Sequence, residues 1–136
     1  MEILNEPAVT PRRNDLIYSD DAYTIIGICM DIHNILGRGF SEIVYKDAMQ
    51  QEFKSKGISF EREKRYEVVY KGFVLPHFFY ADFVYEQKII LEVKAQNGII
   101  DEFYKQTLNY LAISKLRLGL IINFGGESLD VRRAVL

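Results

Sequence analysis

The sequence has a single cysteine, Cys29, in 136 residues, so no internal disulfide can staple it, and such sparse thiol usage fits a reducing compartment. No window approaches the roughly 18 uninterrupted apolar residues that a spanning helix needs, which argues against membrane insertion. The first residues carry Glu2 and Glu6 where a secretory leader would have a basic stretch and an apolar run, and the expected location is therefore cytoplasmic. Charge of one sign is also missing, because 17 Lys and Arg oppose 19 Asp and Glu for a net charge of −2. A surface that attracts phosphate everywhere is excluded, and any nucleic-acid site must be local. There is no internal repeat and no low-complexity segment. What is present is ordinary globular usage, 49% hydrophobic and 26% charged, in a length that suits one compact domain.

Residues 1–18 contain Pro7, Pro11, Arg12, Arg13 and Asn14 without an apolar period, and read as an arm ahead of a domain at 19–136. Ser19-Asp20-Asp21 is a helix start, after which Ala22, Ile25, Ile26, Cys29, His33 and Leu36 recur at three- and four-residue steps until Gly37. Gly37-Arg38-Gly39 allows a reversal into a second helical period through Val44, Tyr45, Ala48, Met49 and Phe53, which makes an αα-hairpin. Four strand-like runs follow at 58–65, 66–70, 74–85 and 88–94, with a tight turn at Lys71-Gly72 and an edge or bulge at Pro76. A helix at about 100–114 and a continuously apolar strand at 118–124 complete a βαβ unit with the 88–94 strand, so those two strands should be parallel and the crossover right-handed. A last strand is expected at 129–135. The fold class is thus α/β with a mixed sheet.

The chemistry concentrates in Ile89-Ile90-Leu91-Glu92-Val93-Lys94. Alternation puts Ile90, Glu92 and Lys94 on one face and Leu91 and Val93 on the other, so two opposite charges point the same way beside a hydrophobic run. The preceding strand ends with Asp82 in an apolar and aromatic setting. A hairpin turning about Gln87 pairs residues whose numbers sum to 174 and brings Asp82 opposite Glu92, whereas a two-residue turn at Glu86-Gln87 would oppose Asp82 to Leu91. A site therefore requires a three- or five-residue connection, or a bulge. Two carboxylates facing at about 4 Å repel by about 4 kcal/mol at an effective dielectric near 20, so a cation between them is called for. Carboxylate oxygens suit Mg²⁺ or Mn²⁺, and Lys94 beside them could orient an attacking water. The competing reading is a hairpin with a solvated Glu-x-Lys pair.

Further residues take either role singly. Glu42 opens the second helix, where a carboxylate also answers the helix dipole. Gln106 and Tyr110 stand four apart on the crossover helix and project together, which also describes a surface amide beside a core tyrosine. In this order, Gly39-x-x-Glu42-x-x-Tyr45, Asp82, Glu92-x-Lys94, Gln106-x-x-x-Tyr110 and Leu120-Ile121-Ile122-Asn123-Phe124-Gly125 resemble the GxxExxY proteins of the PD-(D/E)XK nuclease superfamily, from about residue 20 to the C-terminus.

The resemblance implies a restriction-endonuclease-like core and metal-dependent phosphodiester cleavage, with DNA as the expected partner and Mg²⁺ (or Mn²⁺) as the cofactor. It implies Asp82 and Glu92 as metal ligands, the Val93 carbonyl as a further one, and Glu42 reaching the ion directly or through water. Lys94 would position water or stabilise charge on phosphate, while Gln106 and Tyr110 would support the site and contact the nucleic acid. Tyr45 would pack, with a site carboxylate as a partner for its hydroxyl, and His33 would cap or pack the helical hairpin or touch the site. One departure stands out: an arginine that many members carry just ahead of the Asp82 position is replaced by Phe79-Tyr80-Ala81. That departure and the acidic balance also fit a catalytically silent nucleic-acid-binding or assembly domain. Basic clusters at Lys54 and Lys56, at Arg62, Lys64 and Arg65, at Lys115 and Arg117, and at Arg132-Arg133 would form a backbone-tracking groove if they converge. A homodimer could lengthen it by edge addition at the C-terminal strand.

Overall fold

In the computed structural model, which describes residues 2–4 and 16–136, the two amphipathic periods fold as α1 (Ser19–Leu36) and α2 (Glu42–Ser55). Asp20 and Asp21 lie in the first turn of α1, where carboxylates complement the helix dipole. The helix ends at Gly37, whose φ of 69° lies in the left-handed region that favours glycine. The chain reverses over Gly37–Ser41, and the reversal is held by Tyr45 of α2. Its hydroxyl donates to the Gly37 carbonyl at 2.6 Å and accepts from the Phe40 N–H at 3.3 Å. The helical hairpin is thus as expected, but the Tyr45 hydroxyl serves the loop and not a site carboxylate.

The remaining chain builds a mixed sheet from β1 (Glu2–Leu4), β2 (Phe60–Tyr70), β3 (Phe73–Tyr85), β4 (Ile89–Lys94), β5 (Leu118–Asn123) and β6 (Asp130–Val135), in the order β1-β6-β5-β4-β3-β2. Only the β4–β5 pair is parallel, joined through α3 (Asp101–Ser114). Leu91, Val93, Leu118, Leu120 and Ile122 pack against Ile25, Cys29, Tyr45, Met49 and Phe53 of α1 and α2. Ile90 and Ile121 pack on the other face against Tyr104, Leu108, Tyr110 and Leu111 of α3. The continuous apolarity of β4 and β5 therefore has its cause in cover on both faces.

Three details depart from the sequence reading. The runs expected at 58–65 and 66–70 are one strand, β2, because no turn separates Arg65 from Tyr66. Pro76 does sit at a bulge: residues 75–77 stand opposite Val68 alone, between the pairs Glu67↔Phe78 and Val69↔Val74. At the start of the arm, Glu2–Leu4 pairs antiparallel with β6, while residues 5–15, including Pro7, Pro11, Arg12 and Arg13, lie outside the described residues. With β5 on one side and β1 on the other, β6 is not an edge, so it cannot receive a second copy as the sequence suggested. Among the described residues no helix is long and apolar enough to cross a membrane.

Candidate active site

The β3–β4 hairpin sets the site by its register. Tyr85 pairs with Ile89, Val84 with Ile90 and Phe83 with Leu91, all summing to 174, across the three-residue connection Glu86-Gln87-Lys88. Glu86 and Gln87 take left-handed φ values of 47° and 58°, the geometry this connection needs. One step past the last pair, the same register brings Asp82 to Glu92. There the Val93 N–H donates to Asp82 Oδ2 at 2.7 Å, so a side chain takes over from the ladder. The Val93 amide thereby contacts a site carboxylate.

Glu92 is only 3% exposed, and its Oε1 is buried without a hydrogen-bond partner. Burial pushes its pKa well above the usual carboxylate range, and the neighbouring Asp82, as charge and as hydrogen-bond partner, pushes it further; Lys94 opposes this more weakly. The Lys94 ammonium is itself positioned, donating to Gln106 Oε1 at 3.1 Å and lying 4.4 Å from the centre of the Phe103 ring. Tyr110, one turn beyond Gln106, is buried, and burial followed by the charges of Glu92 and Asp82 pushes its pKa up to about 12. It is a proton-bearing hydroxyl at neutral pH. Asp82, Glu92, Lys94, Gln106 and Tyr110 are thus brought together from β3, β4 and α3.

Two residues that the sequence reading passed over join them. Lys46 of α2 donates to Asp82 Oδ1 at 3.1 Å and to Glu63 Oε1 at 2.6 Å. Burial alone would lower the Lys46 pKa, but its bonds to Glu63 and Asp82 and their charges outweigh that and raise it. Lys46 thereby supplies a cation at the aspartate. A signal for Lys46 was available, since it follows buried Tyr45 and lies one turn after Glu42. Glu63 carried none, because its placement rests on a φ of 53° inside β2, a conformation that costs an L-residue about 1–2 kcal/mol.

Glu42 begins α2 and is partly exposed, and among the described residues its side chain has neither hydrogen bond nor ion pair. His33 is not at the carboxylates; its Nε2 donates to the Gly126 carbonyl at 2.9 Å and ties α1 to the turn after β5. The motif ending β5 is a clamp for the chain just beyond Lys94. Asn123 accepts from the Gln96 N–H at 2.9 Å and donates to the Gln96 carbonyl at 3.0 Å. The Phe124 N–H donates to the Lys94 carbonyl at 2.8 Å, and the Phe124 ring stacks on Tyr45 at 4.4 Å. A Cβ on Gly125 would lie 2.1 Å from the Gln96 carbonyl oxygen, so only glycine fits.

Several side chains of the basic clusters are engaged locally. Lys56 pairs with Glu52, Arg62 with Asp47, Lys64 with Glu61, Arg65 with Glu67 and Arg132 with Asp130, while Arg133 turns inward to the Ile17 carbonyl. Most of this charge belongs to local ion pairs, which contribute little individually.

Residues 19–134 match the PD-(D/E)XK nuclease superfamily. The chain belongs to that superfamily. No curated protein and no solved structure matches it. Superfamily membership implies a divalent metal, and the donors are of the right kind: hard carboxylate oxygens at Asp82 and Glu92, one of them buried and unpartnered. Among the described residues, however, no three acidic, histidine or cysteine side chains are already gathered into a metal cage. The Lys46 ammonium stands against Asp82 instead.

Proposed function

We propose that the protein is a metal-dependent nuclease acting on DNA, within the GxxExxY group that Gly39, Glu42 and Tyr45 resemble, with residues 19–136 as the nuclease domain and 1–18 as its arm. The observation that carries this reading is the apposed Asp82 and Glu92 at the end of a broken ladder, with Glu92 Oε1 buried and unanswered. Leaving a buried polar atom unpaired costs about 1–3 kcal/mol, a cost that a bound ligand would offset.

Asp82 and Glu92 would hold Mg²⁺ or Mn²⁺, with Glu42 contributing through water; the bound ion would supply a polarised water and neutralise charge on the phosphate. Hydrolysis forms a new P–O bond to the water oxygen and breaks the bond to the leaving oxygen, which takes up a proton. Lys94, held by Gln106 and Phe103, places a fixed positive charge where the phosphoryl oxygens gain negative charge. Tyr110 keeps its proton and can donate to a phosphate or to Glu92. Gln106 positions Lys94 and would contact the nucleic acid.

Incubation of the purified protein with single- and double-stranded DNA and Mg²⁺ or Mn²⁺ should give cleavage that chelator stops and Glu92→Ala abolishes. Lys94→Ala should lower the rate by about a hundredfold or more. Cutting that survives both Glu92→Ala and chelation would contradict the reading. A second reading, a silent nucleic-acid-binding domain, is favoured by one observation: Lys46 already neutralises Asp82. It predicts DNA binding that neither metal nor Glu92→Ala changes.

A further inference from the structure

Glu63 and Lys46 have no part in the catalytic reading above, yet Glu63 takes a left-handed φ of 53° inside β2 and its side chain meets Lys46. In a regular strand Arg62 and Glu63 would point to opposite faces. Here both reach α2: Arg62 donates to Asp47 at 2.8 Å and to Gln50 at 3.2 Å, while Glu63 accepts from Lys46. The left-handed φ of Glu63 makes that possible. The pairing register is the same on either side, Arg62↔Phe83 and Lys64↔Ala81, so no residue is inserted and the conformation only re-aims side chains. Strained non-glycine residues of this kind cluster at functional sites.

The re-aimed carboxylate and Asp82 converge on one positive point. Lys46 Nζ is 2.6 Å from Glu63 Oε1 and 3.1 Å from Asp82 Oδ1, and its side chain is only 12% exposed. Beside Asp82 is the buried, unpartnered Oε1 of Glu92, which the ammonium leaves unanswered. We propose that Glu63 is a third carboxylate ligand, with Asp82 and Glu92, for the divalent cation, and that the Lys46 ammonium is a placeholder which the ion displaces. This rests on the metal-dependent reading above. A dication can answer three carboxylates where one ammonium reaches two, and the flexible stem of Lys46 lets it leave. Glu42, one turn earlier on the same helix and unpaired among the described residues, is positioned to receive it as an i,i+4 partner.

Mn²⁺ titration followed by electron paramagnetic resonance tests this on the full chain without any turnover. Glu63→Gln should weaken Mn²⁺ binding at least tenfold, and Lys46→Met should tighten it at least threefold. Glu63→Gly, which relieves the left-handed strain, should raise the melting temperature of the metal-free protein while binding Mn²⁺ as poorly as Glu63→Gln, which separates ligand loss from misfolding. Wild-type affinity in Glu63→Gln, with binding abolished in Asp82→Asn, would overturn the proposal and leave the nuclease reading intact. No Mn²⁺ binding by wild type or by Lys46→Met would overturn both.

Discussion

Glu92 is where the site is least comfortable without a partner, and its titration should show it. Its carboxyl has a folded pKa raised by burial and by Asp82, so its contribution to stability is fully present below the unfolded value of about 4.3 and is lost as pH rises through the raised folded value. In chelator, the melting temperature of wild type should therefore fall as pH rises above the unfolded value of about 4.3 and through the raised folded value. Glu92→Gln should flatten that dependence and melt higher by about 3 °C or more near pH 8, the shift that on the order of 1 kcal/mol produces in a domain this size. Parallel pH profiles for the two proteins would contradict the assignment of the raised pKa to Glu92. Asp82, Glu92, Lys94, Gln106 and Tyr110 were legible in the sequence because alternation and helix spacing fix which side chains share a face. Lys46 was signalled only by its place beside Tyr45 and one turn after Glu42, and Glu63 was not legible, since it depends on a backbone inversion that no neighbouring residue announces.

At the scale of elements, register is the quantity that matters. The sum of 174 was readable as a condition, that a site requires a three- or five-residue connection or a bulge, and the hairpin meets it with the three residues Glu86-Gln87-Lys88. Glu86→Asn combined with Gln87→Gly, which favours a two-residue Asn-Gly turn, should pair Tyr85 with Lys88, move Asp82 opposite Leu91 and abolish Mn²⁺ binding even where the fold survives by circular dichroism; retained wild-type affinity would refute the register argument. The clamp after β4 is the second such device. Asn123→Ala should cost about 2 kcal/mol in denaturant unfolding, since it frees both backbone groups of Gln96, and Gly125→Ala should cost more because its Cβ meets main chain. Costs below about 0.5 kcal/mol for both would mean the clamp is ornamental. The Leu120–Gly125 motif was visible as a pattern, but its purpose needed the long-range contact with residues 94–96. The expected break between Arg65 and Tyr66 failed for the converse reason: local polarity suggested an ending where cross-strand pairing with β3 runs on.

On the scale of the whole molecule, charge is spent locally. The acidic balance foretold that no broad phosphate-attracting surface would exist, and the structure extends this, since the clusters at 62–65 and 132–133 are mostly tied into pairs or turned inward. Where those side chains stay in their ion pairs, DNA affinity should fall only shallowly with salt, by a log–log slope of about −3 or less in magnitude in fluorescence-anisotropy titrations. A slope steeper than about −6 would require an unrecognised groove. Fold class was legible because helix and strand periods alternate in the order a parallel βαβ unit demands. The sixth strand was not, because Glu2–Leu4 is too short to announce itself and owes its pairing to β6.

The central claim is that Asp82 and Glu92 share one divalent cation beside Lys94. Anomalous scattering from crystals grown with Mn²⁺ tests it most directly. The account predicts a single strong manganese peak within bonding distance of Asp82 and Glu92, absent in Glu92→Ala crystals. Saturating Mn²⁺ with no peak there, or with peaks only at other carboxylates, would contradict it.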